Sequence, residues 1–161
     1  MEQERPKRKP TRLKDFDYRA NGVYFITICT KDKEKLLGNV VVGEGLCALP
    51  QVELSIIGRE VEKSIAHIGD DSPEISVDHY VVMPNHIHML LRITSEGNFG
   101  HDSISEIVGR MKSYTTHQYG KPLWQRSFHD HIVRNERSYR ALWNYIDGNP
   151  AKWSEDCFYL P

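Results

Sequence analysis

The chain is poor in the features that fix a protein in a membrane or tie it together by cross-links. No apolar run approaches the ~20 residues that a membrane span needs. The first ten residues, MEQERPKRKP, are charged where a secretory signal is apolar, so no secretory leader is expected. Cys29, Cys47 and Cys157 cannot all pair with one another, and they show neither C-x-x-C nor zinc-ligand spacing. The expectation is a reducing cytoplasm, with the thiols serving as small packing groups. There is no internal repeat and no long low-complexity segment. With 161 residues, 39% hydrophobic and 27% charged, the composition is that of one compact soluble domain.

A net charge of -1 conceals an uneven distribution. Arg5, Lys7, Arg8, Lys9, Arg12 and Lys14 cluster near the start, and Arg126, Arg134, Arg137 and Arg140 crowd a later stretch. Acids gather between them, at Glu60, Glu62, Asp70, Asp71 and Glu74. Such asymmetry allows a local anion-binding surface, although a charge run is as often a solvated face. Residues 1–20 are expected to form a basic, extended arm, and 21–161 a single domain.

Along the chain, Val23–Thr30 is rich in β-branched and aromatic residues and predicts a strand. Asn39–Val42 suggests a short second strand or a hairpin arm. After Pro50, Leu54, Ile57, Val61, Ile65 and Ile68 recur at spacings of three and four, which predicts an amphipathic helix. Ile75–Met83 and His86–Ile93 read as strands joined by a Pro84-Asn85 turn. Ile104, Ile107, Val108 and Met111 mark a second helix capped by Ser103 or Asp102. Phe128–Arg134 reads as a strand. Asn135 or Ser138 caps a last helix that stops at Gly148-Asn149-Pro150. This order predicts an α+β, ferredoxin-like (RRM-like) antiparallel sheet with helices on one face and the other face open for a ligand.

Chemistry concentrates in Tyr80-Val-Val-Met-Pro-Asn-His-Ile-His-Met-Leu-Leu-Arg92. Side chains alternate along a strand, so His86, His88, Leu90 and Arg92 share one face, and Ile87, Met89, Leu91 and Ile93 the other. The uniformly apolar set belongs against helices. The first set puts two imidazoles side by side, close enough to grip one divalent cation. A bare H-x-H is equally two surface or hydrogen-bonded histidines, and His129-Asp130-His131 on another predicted strand is a rival. In the last helix Tyr145 and Asn149 are four apart and can share a face. There a phenol could attack phosphorus while an amide oxygen helps hold a metal, or the ring could simply pack. Tyr114 and Tyr119 compete as nucleophiles. Pro150 directly after Asn149 predicts that Asn149 leaves helical geometry.

MPNHIHMLL resembles the HUH motif of insertion-sequence transposases with one catalytic tyrosine. LWQRSFHDHIVR, followed by WNYIDGNPAKW, resembles the REP-associated tyrosine transposases, as does RLKDFDY with GVYFITICT near the start. The likeness covers roughly residues 10–153. It implies a ferredoxin-like core with a C-terminal helix carrying the nucleophile, Mg²⁺ or Mn²⁺ as cofactor, and hairpin-bearing single-stranded DNA as substrate. Carried over by position, His86, His88 and Asn149 are metal ligands and Tyr145 is the nucleophile. The arm at Arg5–Lys14, with Arg110, Lys112, Arg126 and Arg134, would contact phosphates. Two other readings are a binding module for palindromic repeat DNA without cleavage, and a phosphodiesterase that uses water. A monomer and a homodimer whose tyrosine helix serves the neighbouring subunit both suit the sequence.

Overall fold

A computed structural model describes residues 14, 16–45, 48–70, 72–94 and 102–161. Cys47, and Arg5, Lys7, Arg8, Lys9 and Arg12 of the expected arm, lie outside the described residues.

β1 (Gly22–Cys29), β4 (Ile75–Val82), β5 (His86–Ile93) and β6 (His129–Val133) form one antiparallel sheet in the order β4-β5-β1-β6. α1 (Ile56–Ala66) follows β1 and α2 (Ile104–Tyr119) follows β5, which gives the ferredoxin-like β-α-β-β-α-β arrangement. The alternation of β1 and β5 drives this layering. Tyr24, Ile26 and Ile28 of β1 and Ile87, Met89, Leu91 and Ile93 of β5 are buried on one face, against Val61 and Ile65 of α1 and Ile104, Ile107 and Val108 of α2. Phe16 and Tyr18 also pack on this core. Ser103 caps α2 in a reciprocal box: Glu106 N donates to Ser103 Oγ at 3.3 Å, and Ser103 N donates to Glu106 Oε2 at 2.7 Å. The helix stops at Gly120, whose φ of 75° is the left-handed conformation that glycine adopts freely.

The stretch after Pro50 differs from its expected course. Pro50–Leu54 is a strand, β3, paired with β2 (Gly38–Val42) in register Gly38↔Leu54 to Val42↔Pro50. The helix begins only at Ile56, behind the cap Ser55, whose Oγ accepts from Gly58 N at 3.0 Å. Leu54 reaches the core from the strand, so its three-residue offset from Ile57 imitates helical spacing without being helical. The hairpin sits tightly on α1. A Cβ placed on Gly58 would lie 1.9 Å from the Leu37 carbonyl oxygen, so glycine is required there.

The second face of the sheet is not wholly open. α3 (Glu136–Gly148), capped by Asn135, packs Ile146, Leu142, Trp143 and Tyr139 against Leu90, Val81 and Val23. The apolar stripe of α3 and the apolar residues of that face bury one another. A short 3₁₀ segment, Pro150–Glu155, follows, and beyond it Phe158 reaches the His86 ring at the start of β5.

Candidate functional site

His86 and His88 lie on the face that α3 covers, and both are buried, at 0% and 1% exposure. The sheet fixes their rings from behind. His86 Nδ1–H donates to Asn85 Oδ1 at 2.9 Å. The Asn85 amide is itself held, since its Nδ2 donates to the carbonyls of Lys33 and Phe158 at 3.1 and 2.8 Å. An amide oxygen only accepts, so the proton of His86 sits on Nδ1 and the Nε2 lone pair faces forward. His88 Nδ1 is 2.8 Å from Thr27 Oγ1, across the β1–β5 pair, which likewise turns Nε2 forward. Such partners behind imidazoles orient metal ligands.

In front of these nitrogens stand groups from the end of α3 and the segment after it. Asp156 Oδ2 is 3.9 Å from His86 Nε2, and its side chain is only 3% exposed. Phe158 N donates to Asp156 Oδ1 at 2.7 Å, and Asn149 Nδ2 donates to Oδ2 at 3.2 Å. His86, His88 and Asp156 could together hold a metal ion, for one ligand atom of each lies within 4.8 Å of the others. His86 Nε2 and Asn149 Oδ1 are buried without a hydrogen-bond partner. A buried polar atom left unpaired costs about 1–3 kcal/mol. Two unpaired atoms with lone pairs beside a carboxylate form a donor set that fits a divalent cation.

Tyr145 projects from α3 at the rim. Its hydroxyl is 3.5 Å from His88 Nε2, the ring centroids are 5.2 Å apart, and the residue is 42% exposed. The tyrosine thus meets the histidines of its own chain. Two sets of contacts hold α3 in place over β4. His79 Nε2 is 2.7 Å from Asp147 Oδ1, and its ring stacks on Trp143 with centroids 4.1 Å apart. The Tyr139 hydroxyl donates to Asp78 Oδ2 at 2.9 Å, and Arg92 Nε donates to the same oxygen at 2.9 Å. Beside Tyr145, a cavity of about 290 Å³ opens between α3 and the following segment, with Asn149, Lys152 and Asp156 in its wall.

Burial dominates the electrostatics. It pulls His86 down to about 4, against the opposing pull of the Asp156 carboxylate and the Asn149 amide. Burial, then the neighbouring His86, hold His88 well below the ordinary histidine range. Both imidazoles are therefore uncharged at neutral pH, the form that binds metal. Burial, then the Asp156 carboxylate, push the Tyr145 phenol up, while the Asn149 amide restrains the rise.

The structure thus brings His86, His88, Tyr145 and Asn149 together. Asn149 keeps helical angles, φ -61° and ψ -45°, contrary to the expectation from Pro150. The chain there continues into the 3₁₀ segment with Pro150 at its first position, where a missing N–H is tolerated. Asp156 was missed. It sits in a stretch without periodicity, and nothing in the sequence separates it from Glu155. Tyr114 lies on α2, on the opposite side of the sheet, and Tyr119 packs on the main core. Neither reaches the histidines. Arg110 is on that opposite side too, paired with Asp102. Lys112 donates to the carbonyls of Gln125 and Arg126 at 2.6 and 3.0 Å, so it braces the loop before β6. Lys14, Arg126 and Arg134 are exposed. His129 and His131 are exposed on β6, and Asp130 pairs with Ile26, which points to the other face. The H-D-H triplet therefore does not converge on one point. Among the described residues no helix is long and apolar enough to cross a membrane.

No family model matches the chain. A Haemophilus influenzae protein described as uncharacterized is 33% identical, over 95% of this chain and 93% of its own length. The REP-associated tyrosine transposase of Escherichia coli is 32% identical over 90 positions, 55% of this chain, and the match spans about half (52%) of that relative. A solved structure of a REP-associated tyrosine transposase bound to a REP hairpin superposes with a TM-score of 0.65. It is 24% identical and covers 88% of this chain and 74% of that one.

Proposed function

Because the chain belongs to the family of REP-associated tyrosine transposases, we propose that it cleaves and rejoins single-stranded DNA beside hairpins of palindromic repeats, through a covalent 5′-phosphotyrosine. The observation that carries this reading is the 3.5 Å approach of the Tyr145 hydroxyl to His88 Nε2, next to buried lone pairs on His86 and Asn149. In this reading His86, His88, Asn149 and Asp156 hold one divalent cation, Mg²⁺ or Mn²⁺. When bound, the ion would offset the negative charge that builds on the scissile phosphate.

The chain's own groups supply the rest. Tyr145 Oη attacks phosphorus in line with the leaving 3′ oxygen. The Oη–P bond forms and the P–O3′ bond breaks. The phenol proton passes to solvent, to which the tyrosine is open, and the leaving oxygen takes one up. The phosphodiester energy stays in the tyrosine ester, so a 3′-hydroxyl can reverse the step and join strands. Since Tyr145 faces the histidines of its own chain, a single subunit has all of these groups. Exposed Lys14, Arg126 and Arg134, together with the basic run from Arg5 to Arg12, would contact phosphates. The setting that suits this work is the cytoplasm.

The test is a denaturing gel after incubation with Mg²⁺ or Mn²⁺ and a hairpin oligonucleotide with single-stranded flanks. A protein–DNA adduct that is absent with Tyr145→Phe is expected. Cleavage without an adduct would replace this mechanism by hydrolysis with water. Tight binding with neither would reduce the protein to a binding module.

A further inference from the structure

We propose that the edge strand β6 is a landing strip for the single strand flanking the scissile phosphate, with His129 and His131 contacting successive phosphates. The inference rests on the strand-cleaving reading above and adds the path that the DNA takes.

The sheet register carries the argument. Thr27 is paired with His88 on one side and with His129 on the other, and Phe25 with Leu90 and His131. Directly opposed residues of neighbouring strands project to the same face. His129 and His131 therefore share the face of His86 and His88. Neighbouring strands are ~4.8 Å apart, which puts the backbone of His129 about 10 Å from that of His88. α3 packs over β4, β5 and β1 on this face and its apolar cluster reaches Val133 at the far end of β6, while both β6 imidazoles stay exposed. Among the described residues β6 has no partner beyond β1, so the strip lies along an open margin of the sheet.

Chemistry and spacing agree with a phosphate backbone. Arg126 stands before the strand and Arg134 directly after it, both exposed. Among the described residues none of Arg126, His129, His131 and Arg134 forms an ion pair. Two residues along a strand advance ~6.7 Å, a step comparable with that between phosphates of an extended strand. A metal site is the competing use of an H-D-H triplet. It fails here because Asp130 turns to the opposite face, leaving the two imidazoles without a carboxylate.

The experiment measures fluorescence anisotropy of the full chain with a repeat hairpin carrying single-stranded flanks and with the same hairpin blunt-ended. His129→Ala and His131→Ala are each expected to weaken binding of the flanked hairpin about three- to tenfold, the effect of one lost hydrogen bond of ordinary strength. Arg126→Ala and Arg134→Ala should each reduce the salt slope by about 0.7. In the two histidine variants blunt hairpin binding and Mn²⁺ affinity should not move, and adduct yield at saturating DNA should be kept. A double histidine variant that binds both hairpins like the wild type overturns the proposal, as does an equal loss on both. A fall in Mn²⁺ affinity would return the triplet to metal binding. A flanked RNA hairpin that depends on the histidines more than the DNA one does overturns the choice of DNA. If flanked DNA binds through these histidines but Tyr145 forms no adduct, the cleavage mechanism fails and the strip stands. An adduct forming undiminished at limiting DNA in the double variant has the opposite meaning.

Discussion

Acid should unfold the metal-free protein more readily than its surface charge suggests, because the buried histidines must be uncharged for the fold to close. His86 titrates near 6.5 when unfolded and near 4 when folded. A histidine with a depressed folded value contributes stability that is present above its unfolded value and lost as pH falls toward the folded one. Between pH about 7.5 and about 5, linkage gives a loss of about 2 kcal/mol from His86 alone. His88 shifts in the same direction and adds to it. Glu106, held near 2 chiefly by hydrogen bonds from Ser103, keeps its contribution throughout this window. The assay is urea unfolding with chelator present, followed by tryptophan fluorescence at the two pH values. Adding Mn²⁺ at about 100 times its dissociation constant should raise stability by about 2.7 kcal/mol at the higher pH. That gain should shrink in acid, as protons compete for the same nitrogens. A drop of undiminished size in His86→Gln would place the titration elsewhere and refute the reasoning.

Further outcomes follow from single contacts. Asn85→Ala removes the acceptor behind His86 and should lower Mn²⁺ affinity about 10–100-fold by titration calorimetry. His79→Ala frees α3 from β4 and should lower the single-turnover cleavage rate, with Mn²⁺ affinity unchanged; a rate equal to that of the wild type would show that the stack on Trp143 does not position Tyr145. Gly58→Ala forces a methyl group onto the Leu37 carbonyl and should cost about 1–3 kcal/mol in urea unfolding. Ser103→Ala removes the α2 cap and should cost about 1 kcal/mol by the same measurement.

The sequence was most legible where one residue did one job. The alternation in β5 separates Ile87, Met89 and Leu91 from His86 and His88, and both the core and the site follow from it. The spacing of Tyr145 and Asn149 survived because α3 is a plain amphipathic helix. Of the β2–β3 hairpin the first arm was legible, but β3 was hidden because Leu54 packs on the same core as Ile57, and burial alone does not reveal the backbone that delivers it. A stripe of apolar residues on α3 says that the helix must be covered, not by which surface, so the partly covered histidine face was not foreseen. Asp156 depends on a reversal of the chain after Pro150. That reversal is set by tertiary hydrogen bonds such as the one from Asn85 Nδ2 to the Phe158 carbonyl, and these leave no local pattern.

What sets this centre apart from a merely buried polar cluster is the division of its atoms. Every group facing away from the tyrosine is satisfied: His86 Nδ1 by Asn85, His88 Nδ1 by Thr27, and Asp156 Oδ1 by a backbone amide. The unsatisfied atoms, His86 Nε2 and Asn149 Oδ1, belong to residues that adjoin Tyr145 and the Asp156 carboxylate. A fold selected for stability alone would replace such a cluster by apolar residues at no loss. Keeping two uncharged imidazoles buried and oriented, with His86 Nε2 and the nearby Asn149 Oδ1 unpaired, makes energetic sense if something supplied from outside completes them. In the proposed reading a cation would do so, and would draw the charge of a phosphate toward the tyrosine.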